Sequence, residues 1–357
     1  MKLPTIGMLG SHSAEEIGVS AKSNGFQTVI VCEKGRDRLY SVYNKHLYDN
    51  IIVLDKFSDM IQDEIQTQLQ ELDTLWIPNR SFSVYIGYDK IEHDFRIPIY
   101  GNRDILRVEE RGLFKDQYWL LKESGIRTPE SFTPDAIDRL VIIKIQQKNR
   151  PLERAFFYAH SPEDYEKTSQ SMIKQGLITE EDLQQATIEE FVIAPRFNAN
   201  FQAYAMSDFF GLLDLVGFED RVQTSLGGLL NLPASEQLKI DITVVNEEVG
   251  HKGVTMRESK KPLVYHAAEK LLVGVQKHFP PKMIGLFSLQ GALTEQSEFI
   301  VFDLSPRVPG APCIGPTSPE MRRLSLKFGA TIQSPLDLCM IDITKAVEQD
   351  RLAEATT

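Results

Sequence analysis

Cysteine is scarce: Cys32, Cys313 and Cys339 are the only three in a chain of 357 residues, and no two are close together. That spacing fits neither a zinc site nor a disulfide framework, so a reducing compartment, the cytoplasm, is expected. Cys32 ends an apolar run and reads as a core residue. Cys313 sits among prolines, and nothing marks it as a nucleophile. Positive charge is also short. Thirty-nine Lys and Arg against 50 Asp and Glu leave a net charge of -11. A broad nucleic-acid or membrane surface would need the opposite field, although a local basic pocket for a phosphorylated substrate stays open. No apolar run reaches the roughly 18 residues of a membrane helix. Met1-Lys2-Leu3-Pro4 runs straight into an apparent strand, so no signal peptide is expected. There is no G-x-G-x-x-G motif and hence no case for a NAD-type site.

What is present describes a globular chain. Hydrophobic residues make up 42% and charged residues 25%, outside the disordered range, and the length suggests two or three subdomains. Strand patterns at Thr5–Leu9, Thr28–Cys32, Ile51–Leu54 and Leu75–Pro78 alternate with helical stretches at Ala14–Ser23 and Phe57–Leu69. This is the signature of a parallel, Rossmann-like α/β unit with right-handed crossovers. Further on, the patterns predict a strand at Ile97–Tyr100, a helix over Glu109–Ser124, a strand at Leu140–Ile145, and a helical segment over Pro162–Leu183 broken at Gly176. They then predict a strand at Ile188–Ile193, antiparallel strands within Phe197–Leu213, an amphipathic helix over Pro262–His278 and strands at Ile284–Leu289 and Phe299–Leu304.

Three groups of residues could carry chemistry. Gly10-Ser11-His12-Ser13 lies between the first strand and helix. Backbone N–H groups there favour an anion, and His12 could bond a phosphate or polar base; a Ser N-cap with an exposed His fits as well. Lys144, at the end of an apolar strand, needs a partner that a nucleotide phosphate would supply, unless it snorkels from an edge strand. Downstream, Ile188-Glu189-Glu190-Phe191-Val192 either resembles an adenine-holding hinge or is a strand after an acidic helix end. The third group is Gln290 with Phe302-Asp303-Leu304-Ser305-Pro306-Arg307. Asp303 and Ser305 share one face of a strand, and a hairpin would bring Gln290 opposite Asp303. Oxygen ligands of this kind suit Mg²⁺ completed by water and phosphates. Arg307 could neutralise a phosphoryl group. A surface hairpin with an ordinary Asp–Arg pair is the plainer reading.

The order of these pieces resembles an ATP-grasp ligase. More specifically, the chain resembles the archaeal formate-dependent synthetase family of purine biosynthesis. That family makes 5-formamidoimidazole-4-carboxamide ribonucleotide (FAICAR) from the 5-amino compound (AICAR), formate and ATP. The resemblance rests on Gly10–Ser13, Lys34–Asp37, Gly101–Arg107, Ile188–Val192, Leu232–Ala234, Arg257–Ser259 and Met283–Gly285. It implies a Rossmann-like pre-grasp domain at 1–108, a small ATP-grasp subdomain at 109–195 and a large one at 196–357. By the same resemblance His12 and Ser81 contact AICAR, as does Ser225, which stands where the family commonly has asparagine. Lys144 and Glu189, Glu190, Phe191 and Val192 hold ATP, Gln290 and Asp303 hold Mg²⁺ (or Mn²⁺), and Asp303 replaces the family's glutamate. The chemistry implied is formate attack on the γ-phosphate, then attack of the AICAR amine on formyl phosphate, in a homo-oligomer.

The chain departs from the family where a glycine-rich phosphate loop is usual. Gln146–Arg154 has no glycine, so Lys148, Arg150 and Arg154 are expected to meet phosphate through side chains. Asn79-Arg80 replaces a histidine-glycine pair, and Pro309–Pro319 is rich in proline. Two alternatives therefore stay open: an ATP-grasp ligase for another acid and amine, or a nucleotide-binding paralogue without catalysis.

Overall fold

The computed structural model describes residues 2–145, 156–223, 228–229, 231–240, 248–310 and 313–357. Ser225, Arg154 and the expected phosphate loop Gln146–Arg154 lie outside the described residues.

Strands β1 (Thr5–Leu9), β2 (Thr28–Glu33), β3 (Asn50–Leu54) and β4 (Thr74–Trp76) form a parallel sheet in the order β3-β2-β1-β4. All five β1 residues are buried, as expected of a strand covered on both faces. The helix Ala14–Ser23 forms as its pattern predicts, and Gly25 at φ +81° takes the left-handed turn after it. The expected helix Phe57–Leu69 divides into a 3₁₀ turn, Phe57–Ile61, and a helix, Asp63–Glu71. Ile97–Tyr100 is not a ladder strand; it makes only single bridges, Trp76 to Ile99 and Tyr100 to Thr356.

Next come β5 (Val141–Lys144), β6 (Phe156–Ala159) and β7 (Thr187–Glu190), an antiparallel sheet in the order β6-β5-β7. Lys144 is thus on a central strand, which removes the edge-strand reading. The helix expected over Glu109–Ser124 shortens to Gln117–Glu123, because Asp116 caps it: its Oδ1 accepts from Trp119 N at 3.0 Å. A 3₁₀ turn, Arg103–Glu109, precedes it. The helix Pro162–Lys174 ends at Gly176, at φ +71°.

The largest sheet is antiparallel. It contains β8 (Arg196–Ala203), β9 (Leu213–Gln223), β10 (Glu248–Val254), β11 (Gly285–Leu293) and β12 (Phe299–Ser305), in the order β10-β9-β8-β11-β12. The helix Lys261–His278 lays Val264, Ala268, Leu271 and Val275 against the apolar face of this sheet. The helix Pro335–Glu348 returns to the first unit, where Ser20 Oγ donates to Asp337 Oδ1 at 2.5 Å. Its Asp342 accepts from Ala205 N, Met206 N and the Tyr100 hydroxyl at 2.7–2.9 Å, joining the parallel sheet's flank to the end of β8. Among the described residues no helix is long and apolar enough to cross a membrane.

Candidate active site

Strand alternation builds the floor of the site. On β8, Phe197, Ala199, Phe201 and Ala203 enter the apolar core, and on β11 Phe287 and Leu289 do the same. Asn198, Asn200, Ser288 and Gln290 therefore stand on the opposite face, all buried. Register aligns one row of polar residues across four strands: Glu219 with Asn198, Asn198 with Gln290, and Gln290 with Asp303. The expected opposition of Gln290 and Asp303 is observed. Asn200, Ser288 and Ser305 form the next row.

Cations from the preceding segment approach this row. Arg111 Nη2 donates to Phe302 O at 2.9 Å and lies 3.5 Å from Asp303 Oδ1. Burial alone would raise the Asp303 pKa; Arg111, then Arg221 and Lys144, outweigh it and hold the carboxyl below its ordinary value. Val141 and Ile143 face the small sheet's core, so Lys144 and Glu189 occupy its other face. Lys144 Nζ donates to Glu189 Oε2 at 2.5 Å, and the Tyr118 hydroxyl donates to the same oxygen at 2.7 Å. Burial and repulsion from Arg111 lower the Lys144 pKa, against the pull of Glu189. Glu189 Oε1 is buried with no hydrogen-bond partner among the described residues.

The hinge is shorter than the expected strand Ile188–Ile193: β7 ends at Glu190. Phe191 and Val192 lie beyond it, although the Phe191 N–H still donates to Leu140 O at 3.0 Å, in register with the β5–β7 pairing. The Glu190 carboxylate is held by Arg127 at 3.0 Å. Phe191 packs edge-on to Tyr158 and under the Arg196 guanidinium, while Val192 is buried with Ala292 and Ile300.

The strand-to-helix loop forms the opposite wall. Gly10 permits the tight exit from β1, since a β-carbon there would sit 2.8 Å from Cys32 Sγ. His12 is exposed, with Nδ1 3.0 Å from Ser13 Oγ. Ser81 is buried in the first turn of the helix Arg80–Ile86. Asn79 fixes that turn: its Oδ1 accepts from Phe82 N and its Nδ2 donates to Leu9 O, both at 3.0 Å. Asn79 also bridges to Val308, which brings Pro309 and Gly310 beside the loop.

Arg307 lies two residues past the end of β12. It is buried, with Nη2 2.5 Å and Nε 3.2 Å from the two Glu109 carboxylate oxygens. Its charge is thus already balanced by a carboxylate. Cys32 is buried, and its thiol is pushed up to about 12, mainly by burial. Cys313 is exposed; partial burial and the Glu219 charge raise its thiol pKa, which disfavours a nucleophilic thiolate.

Sequence reasoning missed Arg111, Tyr118, Asn198, Glu219 and His251. The signal for Asn198 was legible, because Asn198, Asn200 and Gln202 alternate with apolar residues. Glu219 and His251 have no local signal, since β9–β10 pairing alone joins them: His251 Nδ1 is 2.7 Å from Glu219 Oε2. Among the described residues no group of three or more His, Cys, Asp or Glu could hold a metal ion. The donor set fits Mg²⁺ nonetheless, as one ionised carboxylate and one amide oxygen leave positions for water and phosphates.

A parallel domain followed by a small antiparallel sheet whose lysine faces an acidic row on a larger sheet defines the ATP-grasp class. The solved structures agree. The chain is similar to the IMP biosynthesis protein PurP from Thermococcus kodakaraensis, with a TM-score of 0.70 and 21% identity over 99% of this chain and all of that one. It is also similar to an ADP complex of N5-carboxyaminoimidazole ribonucleotide synthetase, with a TM-score of 0.59 and 13% identity over 87% of this chain and 72% of that one. Residues 164–357 match a domain of unknown function, DUF1297, and residues 6–132 match a protein of unknown function, DUF1246. The 5-formaminoimidazole-4-carboxamide-1-(β)-D-ribofuranosyl 5'-monophosphate synthetase of Methanothermobacter thermautotrophicus is 35% identical over 99% of this chain and 94% of its own length. The chain belongs to that synthetase family and is an ATP-grasp ligase.

Proposed function

We propose that the protein formylates AICAR to FAICAR, using ATP, formate and Mg²⁺, through formyl phosphate. The observation that carries this reading is the register of Gln290 opposite Asp303, with Lys144 and Arg111 arriving above the same row. Mg²⁺ on Gln290 and Asp303, or Mn²⁺ in its place, would supply Lewis-acid charge neutralisation to the phosphates. Lys144 and Arg111 bind and orient them, and Glu189 Oε1 is an acceptor for a ribose hydroxyl or adenine amine. Phe191 and Val192 would flank the base, with Glu190 held back by Arg127. His12 and Ser81 would hold AICAR at the ends of the parallel strands, where ligands of such sheets collect. Ser225 and Arg154 keep the substrate and phosphate roles that the resemblance and the loop's basic charge give them.

On this reading ATP lies between segments 109–195 and 196–357, and segment 1–108 presents AICAR. The enzyme supplies mainly position and charge neutralisation. Arg307 would act on a phosphoryl group only by exchanging Glu109 for it. The protein works in the cytoplasm as a homo-oligomer on small molecules, with neither nucleic acid nor membrane as partner.

The test is phosphate release with ATP, Mg²⁺, formate and AICAR, each omitted in turn. Release that requires both formate and AICAR supports the proposal. Turnover with another carboxylate, and none with formate, moves the assignment to a different acid. Nucleotide binding without any turnover selects the non-catalytic paralogue.

A further inference from the structure

None of the roles above uses Asn200, although it stands on the polar floor two residues from Asn198. It is fully buried, and its Oδ1 has no hydrogen-bond partner among the described residues. Its Nδ2 donates to Asn198 O at 3.4 Å. The reverse orientation of the amide would set two oxygens against each other, so the unpaired atom is an acceptor. A buried acceptor without a donor is costly unless a ligand completes it.

Asn200 lines a small, partly open cavity between the polar floor and the first helix. Val216, Leu286 and Pro309 are apolar walls, and Ser13 and Glu16 bring the start of the helix Ala14–Ser23 to it. Its volume of about 20 Å³ takes a water molecule or the end of a planar polar group, not a nucleotide. The lining is rich in acceptors, the Asn200 Oδ1 and the Glu16 carboxyl. Burial raises the Glu16 pKa, opposed by a Ser334 hydrogen bond and aided by Asp337 and Glu15, so this end of the cavity has no room for more negative charge. His12, which would hold AICAR, is the neighbour of Ser13. Asn200 and Asn198 are one strand repeat apart, about 7 Å, so a group docked at Asn200 is that close to the row of Gln290 and Asp303.

We infer that Asn200 and Glu16 form the subsite for the 4-carboxamide of AICAR and select it over a 4-carboxylate; this rests on the AICAR role proposed above for the same loop. A carboxamide NH₂ has two N–H donors, and the subsite offers two acceptors. A carboxylate has the same shape but no donor. It would leave Asn200 Oδ1 unpaired and would face the Glu16 carboxyl, and rejection of that kind is stronger than an apolar pocket achieves. The amine to be formylated is on the ring carbon next to the carboxamide. Docking the carboxamide at Asn200 therefore keeps the amine within reach of an acyl phosphate on the metal row. Asn200 and Glu16 bind and select the substrate in this scheme, and neither touches the transferred group.

The experiment is calorimetry on the full-length protein with AICAR, its 4-carboxylate analogue and the analogue with hydrogen at position 4. The parent should bind AICAR at least about a hundredfold tighter than the carboxylate. Asn200→Ala removes the acceptor without filling the cavity. It should weaken AICAR about tenfold and leave the 4-hydrogen analogue within about twofold, and that retained binding shows the variant to be folded. Glu16→Gln keeps an acceptor and adds a donor, and should narrow the gap between AICAR and the carboxylate about tenfold. Glu16 is only partly buried, so this variant tests the subsite even where Asn200→Ala fails to fold. Equal losses of AICAR and the 4-hydrogen analogue in Asn200→Ala, no loss of either, or an unchanged gap in Glu16→Gln would overturn the proposal. A parent with the expected preference that releases no phosphate with formate keeps the subsite and overturns the formylation reading instead. A parent that makes FAICAR but binds AICAR and the carboxylate alike overturns the subsite alone.

Discussion

Lys144 and Glu189 meet at 2.5 Å on the small sheet, yet one Glu189 oxygen is buried and unpaired among the described residues. A half-satisfied buried carboxylate is costly unless a ligand completes it. On the proposed function the pair would serve two ends, balancing a buried charge in the free protein and supplying an acceptor and a cation to the nucleotide.

Removing one partner should cost more than removing both charges. Lys144→Met leaves Glu189 with Tyr118 as its remaining donor, and unfolding free energy should drop by about 3 kcal/mol. Adding Glu189→Gln should restore part of that loss. Neither variant should bind ATP like the parent. Urea denaturation and calorimetry on the single and double variants check both statements.

Asp303→Asn should lower turnover at least about tenfold, equivalent to roughly 1.4 kcal/mol on the barrier, because an amide is a poorer ligand for a hard cation. The effect should grow as Mg²⁺ becomes limiting. Stability gives an independent check. The folded-state pKa of Asp303 is depressed, so its contribution is complete above the unfolded carboxyl value of about 3.9 and is lost as pH falls through the lower folded value. The stability difference between parent and variant should be constant from pH 7 to about 5 and should shrink as pH falls through the lower folded value.

His12→Ala should weaken AICAR binding more than ATP binding. The imidazole lies on the first loop, away from Lys144 and the hinge. Calorimetry with each ligand decides: equal losses, or none, would make His12 a structural residue.

Arg307→Ala should destabilise the fold by about 3 kcal/mol, because it leaves the largely enclosed Glu109 carboxylate with only the longer Arg80 ion pair, at 3.5 Å. Arg307→Lys keeps the charge but not the paired geometry, and should recover about half of that. A lysine variant with parent stability and tenfold lower turnover would point instead to a phosphoryl contact.

Much of the fold was legible in the sequence because apolar periodicity recorded it. Thr5–Leu9 and Ala14–Ser23 were found with their bounds, and the Gln290–Asp303 opposition followed from two apolar runs with polar interruptions. The failures were local competitions. Ile97–Tyr100 is apolar enough for a strand but finds only single bridges, and Asp116 starts its helix eight residues later than apolarity suggested. Arg307 read as a phosphoryl contact or as half of an Asp–Arg pair within the hairpin, because Glu109, its partner, is 198 residues away. Glu219 and His251 were invisible for the same reason: strand pairing, not local pattern, makes them one unit.

Isotope transfer from formate to phosphate is the direct signature of formate activation as formyl phosphate. With ¹⁸O-labelled formate, ATP, Mg²⁺ and AICAR, one formate oxygen must remain on phosphorus when the acyl phosphate is consumed. Mass spectrometry of the released phosphate should show one ¹⁸O for each FAICAR formed. Unlabelled phosphate released alongside FAICAR would contradict the account.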